Sequence, residues 1–199
     1  MTMAKSFKAL ALLGLIVPGV ALAQFSDSYN FLKAVRDRDG NKTTEIISRP
    51  GNVIIDTRDT STGETALHIV TRERDETWIR FLLSRGAKTD MRDAQGNTPL
   101  MIAAQLGFVE GAQLLIGYRA SVDLANNSGE TPLIRAVQNR DAAMVQLLMT
   151  NGANPNKVDS GAGLSARDYA ARDRRSAAIL KLIETTKPSA TAPKAAGPR

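Results

Sequence analysis

The amino-acid sequence repeats itself at a fixed interval. Segments that begin Gly63-Glu-Thr, Gly96-Asn-Thr and Gly129-Glu-Thr start 33 residues apart, and each continues at the same offset into a second apolar block. A period of this length indicates a solenoid, in which each unit buries its apolar face only by stacking on its neighbours. The period constrains the fold strongly, because about three such units are needed for a stable stack.

Each unit has the start signals of a short helix. Thr65, Thr98 and Thr131 can accept hydrogen bonds from the free N–H groups of the first turn, and Pro99 and Pro132 occupy a position where a missing donor does no harm. The second apolar block has the i, i+3, i+4 spacing of another helix. The sequence therefore predicts a pair of helices in every unit, with polar turns between units.

The pattern Gly-x-Thr-Pro-Leu, followed by a Leu-Leu pair and a closing Gly-Ala, resembles the ankyrin repeat. The resemblance implies an all-α solenoid of paired antiparallel helices with hairpin-like fingers. Weaker forms of the pattern on both sides predict two degenerate capping repeats around three regular repeats. The predicted boundaries are 1–23 for a cleaved leader, 24–58 for the N-terminal cap, 59–158 for the regular repeats, 159–186 for the C-terminal cap and 187–199 for a disordered tail rich in Pro and Ala.

Several positions depart from the repeat pattern. Arg119 stands where two other second helices end on glycine, which predicts a deformed helix end at a cost on the order of 1 kcal/mol. Arg74 and Arg140 replace the glycine of the turn between the two helices, which predicts altered turns. Extra residues in 59–63 and 159–163 predict longer first and last fingers.

The first 23 residues have the layout of a secretory signal peptide. Lys5 and Lys8 precede an apolar run, and Ala21-Leu22-Ala23 supplies the small residues that the peptidase requires. The apolar stretch has 15 residues, whereas about 20 are needed to cross a bilayer. We expect cleavage after Ala23 and export to the periplasm of a bacterium with two membranes. Secretion is the alternative, and the mature chain is expected to lack a stable membrane anchor.

The composition disfavours catalysis and nucleic-acid binding. The chain has no cysteine, which excludes thiolate metal sites and a cysteine nucleophile. Removal of Lys5 and Lys8 with the leader lowers the net charge from +6 to +4, the basic residues are scattered, and aromatic residues make up 5%. His68, the lone histidine, stands where ankyrin repeats often carry a structural histidine, and Trp78 and Met144 share an apolar core position. We expect no catalytic residue, metal or cofactor, so the chain is predicted not to be an enzyme.

The resemblance also implies where a partner binds, since ankyrin partners lie against the fingers and the inner helices. These positions are polar with mixed charge, which suits recognition of a protein. The predicted function is an exported, monomeric module that binds or scaffolds another periplasmic protein; the alternative is a secreted effector or a toxin-immunity component acting on another cell. The predicted binding positions are Arg58, Thr62, Glu64, Arg72, Glu73, Arg92, Gln95, Asn97, Gln105, Asn127, Ser128, Glu130, Gln138, Asn139 and Arg172.

Overall fold

The computed structural model describes residues 19–49 and 54–187. Within those ranges the chain forms ten α-helices and no strand, which confirms the predicted all-α solenoid. The predicted tail lies outside the described residues except for Lys187, and so does most of the predicted leader. The helices are α1 (Gly19–Arg36), α2 (Gly40–Ile47), α3 (Ala66–Arg72), α4 (Glu76–Ser84), α5 (Pro99–Leu106), α6 (Val109–Gly117), α7 (Pro132–Gln138), α8 (Ala142–Thr150), α9 (Ala166–Arg172) and α10 (Ala177–Thr185).

The helices stack in two layers. The first helices of the units, α3, α5, α7 and α9, pack side by side in chain order, and each also packs on the second helix of its own unit. Helix α1 begins at Gly19 and so passes through the predicted cleavage site, whose use stays a prediction. Within residues 19–49 and 54–187, no helix combines the length and apolar character that crossing a membrane requires.

The helix starts use the predicted caps. Thr98 and Thr131 each accept a hydrogen bond at 3.2 Å from a backbone N–H three residues on, and a proline opens each of the two helices. The C-terminal cap uses a capping box, in which Ser165 and Asp168 each accept from the other's backbone N–H. These bonds satisfy N–H groups that the first turn of a helix leaves free.

One continuous apolar core runs through the stack from Phe31 to Ile183. Met144 occupies the core position that was predicted for the second helices, and it is fully buried. Trp78, at the same offset, is only half-buried and packs edge-on against Phe81, with ring centroids 5.3 Å apart. Trp78 packs against the core without being fully covered by it, so the predicted core position is confirmed for both residues.

The arginines at the glycine positions leave the local structure unchanged. Arg74, Arg119 and Arg140 have φ values of 57°, 67° and 56°, so each adopts the left-handed conformation. The backbone N–H of Arg119 donates to Ile116 at 2.9 Å, as that of Gly86 donates to Leu83 at 3.0 Å. The predicted deformation of this helix end is wrong, and so is the predicted alteration of the turns. The chain accepts backbone strain at these residues and keeps the repeat geometry.

The turns between first and second helices form what we call the turn edge, made of Arg38, Arg74, Gly107 and Arg140. Arg38 also has a positive φ of 59° and hydrogen-bonds the carboxylates of Glu73 and Asp75, the latter at 2.8 Å. Its guanidinium group also lies 5.7 Å from the centre of the Trp78 ring.

Arginine side chains also contact the next unit at two further turns of the turn edge. The guanidinium of Arg74 donates to the carbonyl oxygen of Gly107 at 3.3 Å and lies over the ring of Phe108. Arg140 donates to Asp173 at 2.6 Å. Side chains therefore join the units along this edge.

Candidate partner-binding surface

The turns between units form a second edge, which we call the finger edge and define as residues 58–64, 92–97, 125–130 and 158–164. Backbone hydrogen bonds join one turn to the next: Ala94 N–H donates to Thr62 at 3.0 Å, Asn127 to Gln95 at 3.0 Å, and Ser160 to Ser128 at 2.9 Å. Among the tip side chains, Asn127 also donates to the carbonyl oxygen of Ala94 at 3.1 Å, whereas those of Thr62, Gln95 and Ser128 form no hydrogen bond with a neighbouring finger in the described residues.

Each turn of the finger edge is closed by an acceptor side chain at its start. Asp93 accepts the backbone N–H groups of Gln95 and Asn97 at 2.9 and 2.8 Å, and Asn126 does the same in the next unit. Asp59 and Asp159 close turns one residue longer, as predicted. Hydrogen bonds from Ser61, together with the ion pair to Arg36, hold the pKa of Asp59 well below its usual range.

His68 links two units at the base of the fingers. Its Nδ1 accepts the backbone N–H of Thr65 at 3.2 Å and lies 2.8 Å from the hydroxyl oxygen of that residue. Because Nδ1 accepts, the proton is on Nε2, which donates to the carbonyl oxygen of Asn97 at 3.0 Å. Burial lowers the pKa of His68, since no solvent offsets the charge of an imidazolium there. The predicted structural role of this residue is confirmed.

Asn97 does not belong to the exposed surface. The residue is 9% exposed, its side-chain amide nitrogen donates to Asp93 at 3.1 Å, and its side-chain oxygen accepts from Asn126 at 3.3 Å. The offset placed it among the partner-facing positions, but the structure commits it to the finger interior.

The carboxylates among the predicted positions already have partners inside the protein. Glu64 accepts from Nε and Nη2 of Arg72 at 2.9 and 2.6 Å. Glu130 pairs with Arg135 at 2.6 Å, and Glu73 pairs with Arg38 of the turn edge. These pairs are partly solvated, so they orient side chains more than they stabilise the fold.

Apart from Asn97, the predicted positions lie along the finger edge and on the first helices, which are adjacent in the stack. The exposed ones are Arg58, Thr62, Arg72, Glu73, Gln95, Asn127, Ser128, Asn139 and Arg172; those that are half-buried are Glu64, Arg92, Gln105, Glu130 and Gln138.

The structure adds one residue to this surface. Leu106 is 38% exposed at the end of α5, at the offset that Glu73 and Asn139 occupy in the neighbouring units. The period alone could have identified it, because Glu73 and Asn139 lie 33 residues before and after it. It gives the middle of the surface an apolar contact point between polar neighbours.

No group of His, Asp and Glu side chains in residues 19–49 and 54–187 has the arrangement of a metal site. A cavity of about 290 Å³ near the N-terminal cap is lined by Ile47, Ser48, Ile54, Ile55 and Arg85, a set with a single ionisable side chain.

Comparison with known proteins places these features in a family. The family model described as ankyrin repeats matches three times, over residues 31–126, 81–159 and 112–191. A putative ankyrin repeat-containing protein of Treponema pallidum (strain Nichols) is 37% identical over 109 residues, which are 54% of this chain and 36% of the relative. The chain thus spans only about a third of the length of that curated relative.

Proposed function

Because the chain belongs to the ankyrin-repeat family, whose repeats mediate protein–protein interaction, we propose that it binds another protein through one defined surface. That surface is the finger edge together with the exposed side of α3, α5, α7 and α9. Ankyrin repeats are non-catalytic interaction modules, and the proposal includes no reaction.

One observation carries the proposal more than any other. Neighbouring units of the finger edge are held by backbone hydrogen bonds, of which the link from Ala94 to Thr62 at 3.0 Å is typical. The side chains of Thr62, Gln95 and Ser128 are exposed at the tips of those turns. Exposed side chains on a rigid backbone can meet a partner at small cost in conformational entropy.

We also propose that this binding takes place after export, and the support is the leader-like sequence of residues 1–23. N-terminal sequencing of the protein from a periplasmic fraction is expected to begin at Gln24. An intact leader on protein confined to the cytoplasm would contradict export. Recovery from the culture medium or from recipient cells would instead favour the effector or toxin-immunity alternative.

Site-specific photo-crosslinking tests the binding surface directly. A photoreactive amino acid at Gln95, at a finger tip, is expected to capture a partner in the native compartment. The matched control places the same group at Gln113, an exposed glutamine of the second helix α6. Capture at Gln113 but not at Gln95 would show that the partner uses the other side of the solenoid.

A further inference from the structure

The finger edge contains acidic and basic side chains, but only its acidic side chains all have partners within the protein. Asp59 is paired with Arg36 at 2.7 Å, and Glu64 and Glu130 are paired with arginines of their own unit. Asp159 accepts the hydroxyl group of Tyr169 at 2.6 Å and three backbone N–H groups. The carboxylates of this edge are therefore already engaged within the protein.

Two guanidinium groups of the same edge are not engaged in this way. Arg58 and Arg92 immediately precede the first acidic residue of consecutive fingers and so occupy equivalent positions. Neither forms a salt bridge with a described residue, and the contact of Arg92 with the Asn127 side-chain oxygen is long, at 3.5 Å. Ala125 and Val158 hold the equivalent position in the next two fingers, so the free positive charge is concentrated in the first two.

The guanidinium group of Arg92 packs against the turn of its own finger. Gly96 has a φ of +80°, and a Cβ atom there would lie 2.8 Å from the Nη2 atom of Arg92. The guanidinium group thus lies over a glycine, and the residue is half-buried. A side chain that is already ordered loses less conformational entropy when it binds.

We propose that Arg58 and Arg92 bind an acidic, extended segment of the partner protein. The inference rests on the proposed protein-binding function and names the chemistry of the partner. Stacked units are roughly 10 Å apart, a distance that about three extended residues span, so one short segment can reach both arginines. Two cations next to exposed polar turns suit a short acidic segment, which charge complementarity would select.

A protein segment fits this edge better than a nucleic acid does. Single-stranded nucleic acids bind where aromatic side chains provide stacking surfaces along a positive groove. The exposed aromatic side chains among the described residues include Tyr29 in α1 and Tyr118 after α6, and neither belongs to the finger edge.

The proposal is tested with a charge-reversed variant and a matched control. The test variant is Arg58→Glu with Arg92→Glu. The control is Arg119→Glu with Lys181→Glu, which changes the net charge by the same amount at exposed positions near or in second helices. The probe is a labelled twelve-residue peptide of alternating Asp and Ser, compared with the same peptide carrying Asn for Asp.

We expect the full chain to bind the Asp peptide and not the Asn peptide, with affinity falling as salt rises. The test variant should lose about tenfold in affinity or more, and the control less than about twofold, at unchanged melting temperature. Equal losses in both variants would overturn the proposal, because net charge alone would then explain binding. Tighter binding of a single-stranded oligonucleotide than of the Asp peptide would also overturn it.

The crosslinked partner separates this inference from the function on which it rests. A captured segment rich in Asp and Glu, and lost in the Arg58→Glu, Arg92→Glu variant, supports the acidic-partner proposal. Capture at Gln95 of a segment without acidic residues, retained by that variant, overturns the acidic-partner proposal and leaves the binding function standing. Capture at Gln113 alone overturns the proposed binding surface itself, because the partner would then use the other side of the solenoid.

Discussion

The finger edge and the turn edge both run the length of the solenoid, yet they join its units with different atoms. Along the finger edge the recurring links are backbone hydrogen bonds, such as the one from Asn127 to Gln95, to which the side chains of Asn126 and Asn127 add one bond each. Along the turn edge the links are arginine side chains, such as Arg38 and Arg140, which reach the next unit. The exposed side chains of Thr62, Gln95 and Ser128 are therefore available for a partner at the finger edge, whereas the arginines of the turn edge are committed to contacts between units.

Arginine has a different role at each of the two edges. Arg38 meets two carboxylates and an aromatic ring, whereas Arg58 meets none of these among the described residues. The difference lies in the neighbouring unit: the turn edge presents an acidic or carbonyl oxygen opposite each arginine, and the finger edge has already used its acids. Position within the repeat, more than residue type, decides the role.

The largest expected effect comes from disturbing the backbone links of the finger edge. In Gly129→Ala the new Cβ would lie 2.6 Å from the backbone nitrogen of Ser160, at a φ of +74°. Strain, overpacking and loss of the hydrogen bond should together lower the free energy of unfolding by about 3 kcal/mol. Gly86→Ala is the control, because its φ is +88° but no atom lies within 4 Å of the added Cβ.

Urea denaturation measures both glycine variants. The control should lose about 1 kcal/mol, which is the cost of the left-handed conformation alone. If the two losses were equal, the backbone links between fingers would not contribute to stability.

The next effect compares an arginine of each edge. Arg38→Ala removes the bonds to Glu73 and Asp75 and the contact with Trp78, so the free energy of unfolding should fall by about 1–2 kcal/mol. Arg58→Ala should change it by less than about 0.5 kcal/mol, as expected for an unpaired surface residue. Similar losses at Arg38 and Arg58, measured by urea denaturation, would remove the distinction between the edges.

His68 gives a pH-dependent test, because it is a side chain that joins units at the base of the fingers. Burial lowers its pKa, so below about pH 6.5 the unfolded chain takes up a proton that the folded chain excludes. Stability should be constant above that pH and fall below it, by at most about 1.4 kcal/mol per pH unit. The fall ends once the pH passes the lower pKa of the folded state, where both states are protonated.

Two measurements check this pH dependence. Urea denaturation at several pH values should show the slope in the wild type and not in His68→Gln. Because the chain has a single histidine, proton NMR can follow its imidazole without ambiguity. A folded-state pKa at or above the unfolded value would contradict the assignment. Paired carboxylates such as Asp173, whose pKa is lowered to about 2 mainly by the backbone N–H of Arg175 and also by Arg140, act only at lower pH.

The smallest effect separates two arginines with similar backbone conformations. Arg119 is exposed and has a φ of 67°, and Arg119→Gly relieves the strain, with an expected net gain of about 0.5 kcal/mol. Arg140→Gly relieves similar strain but loses the bond to Asp173, so no gain is expected. Thermal unfolding of the two variants should show a higher melting temperature for Arg119→Gly only. A gain in both would mean that the turn-edge bond is dispensable.

Much of this architecture could be predicted from the period. The offsets identified the caps at Thr98 and Thr131 and the left-handed position of Arg119. These features are local, because they depend on residues three or four apart in one helix start or on a single backbone torsion angle. Because each repeat carries the same local signals, a comparison of the repeats is enough to recognise them.

The contacts between units could not be read in the same way. The bond from Arg38 to Asp75 spans 37 residues, and the degenerate N-terminal cap lacks the signature that would have aligned Arg38 with Arg74. Burial of Asn97 was also missed, since its exposure depends on Asp93 and Asn126 rather than on its offset. The period locates a position along the solenoid, but the chemistry of the neighbouring unit decides whether its side chain is free.

Amide hydrogen exchange on the full chain, with and without the partner captured through Gln95, tests the contrast between the two edges most directly. The account predicts that the partner slows exchange in residues 58–64 and 92–97, while amides around Arg38, Arg74 and Arg140 are unchanged. Slower exchange along the turn edge with an unchanged finger edge would contradict it.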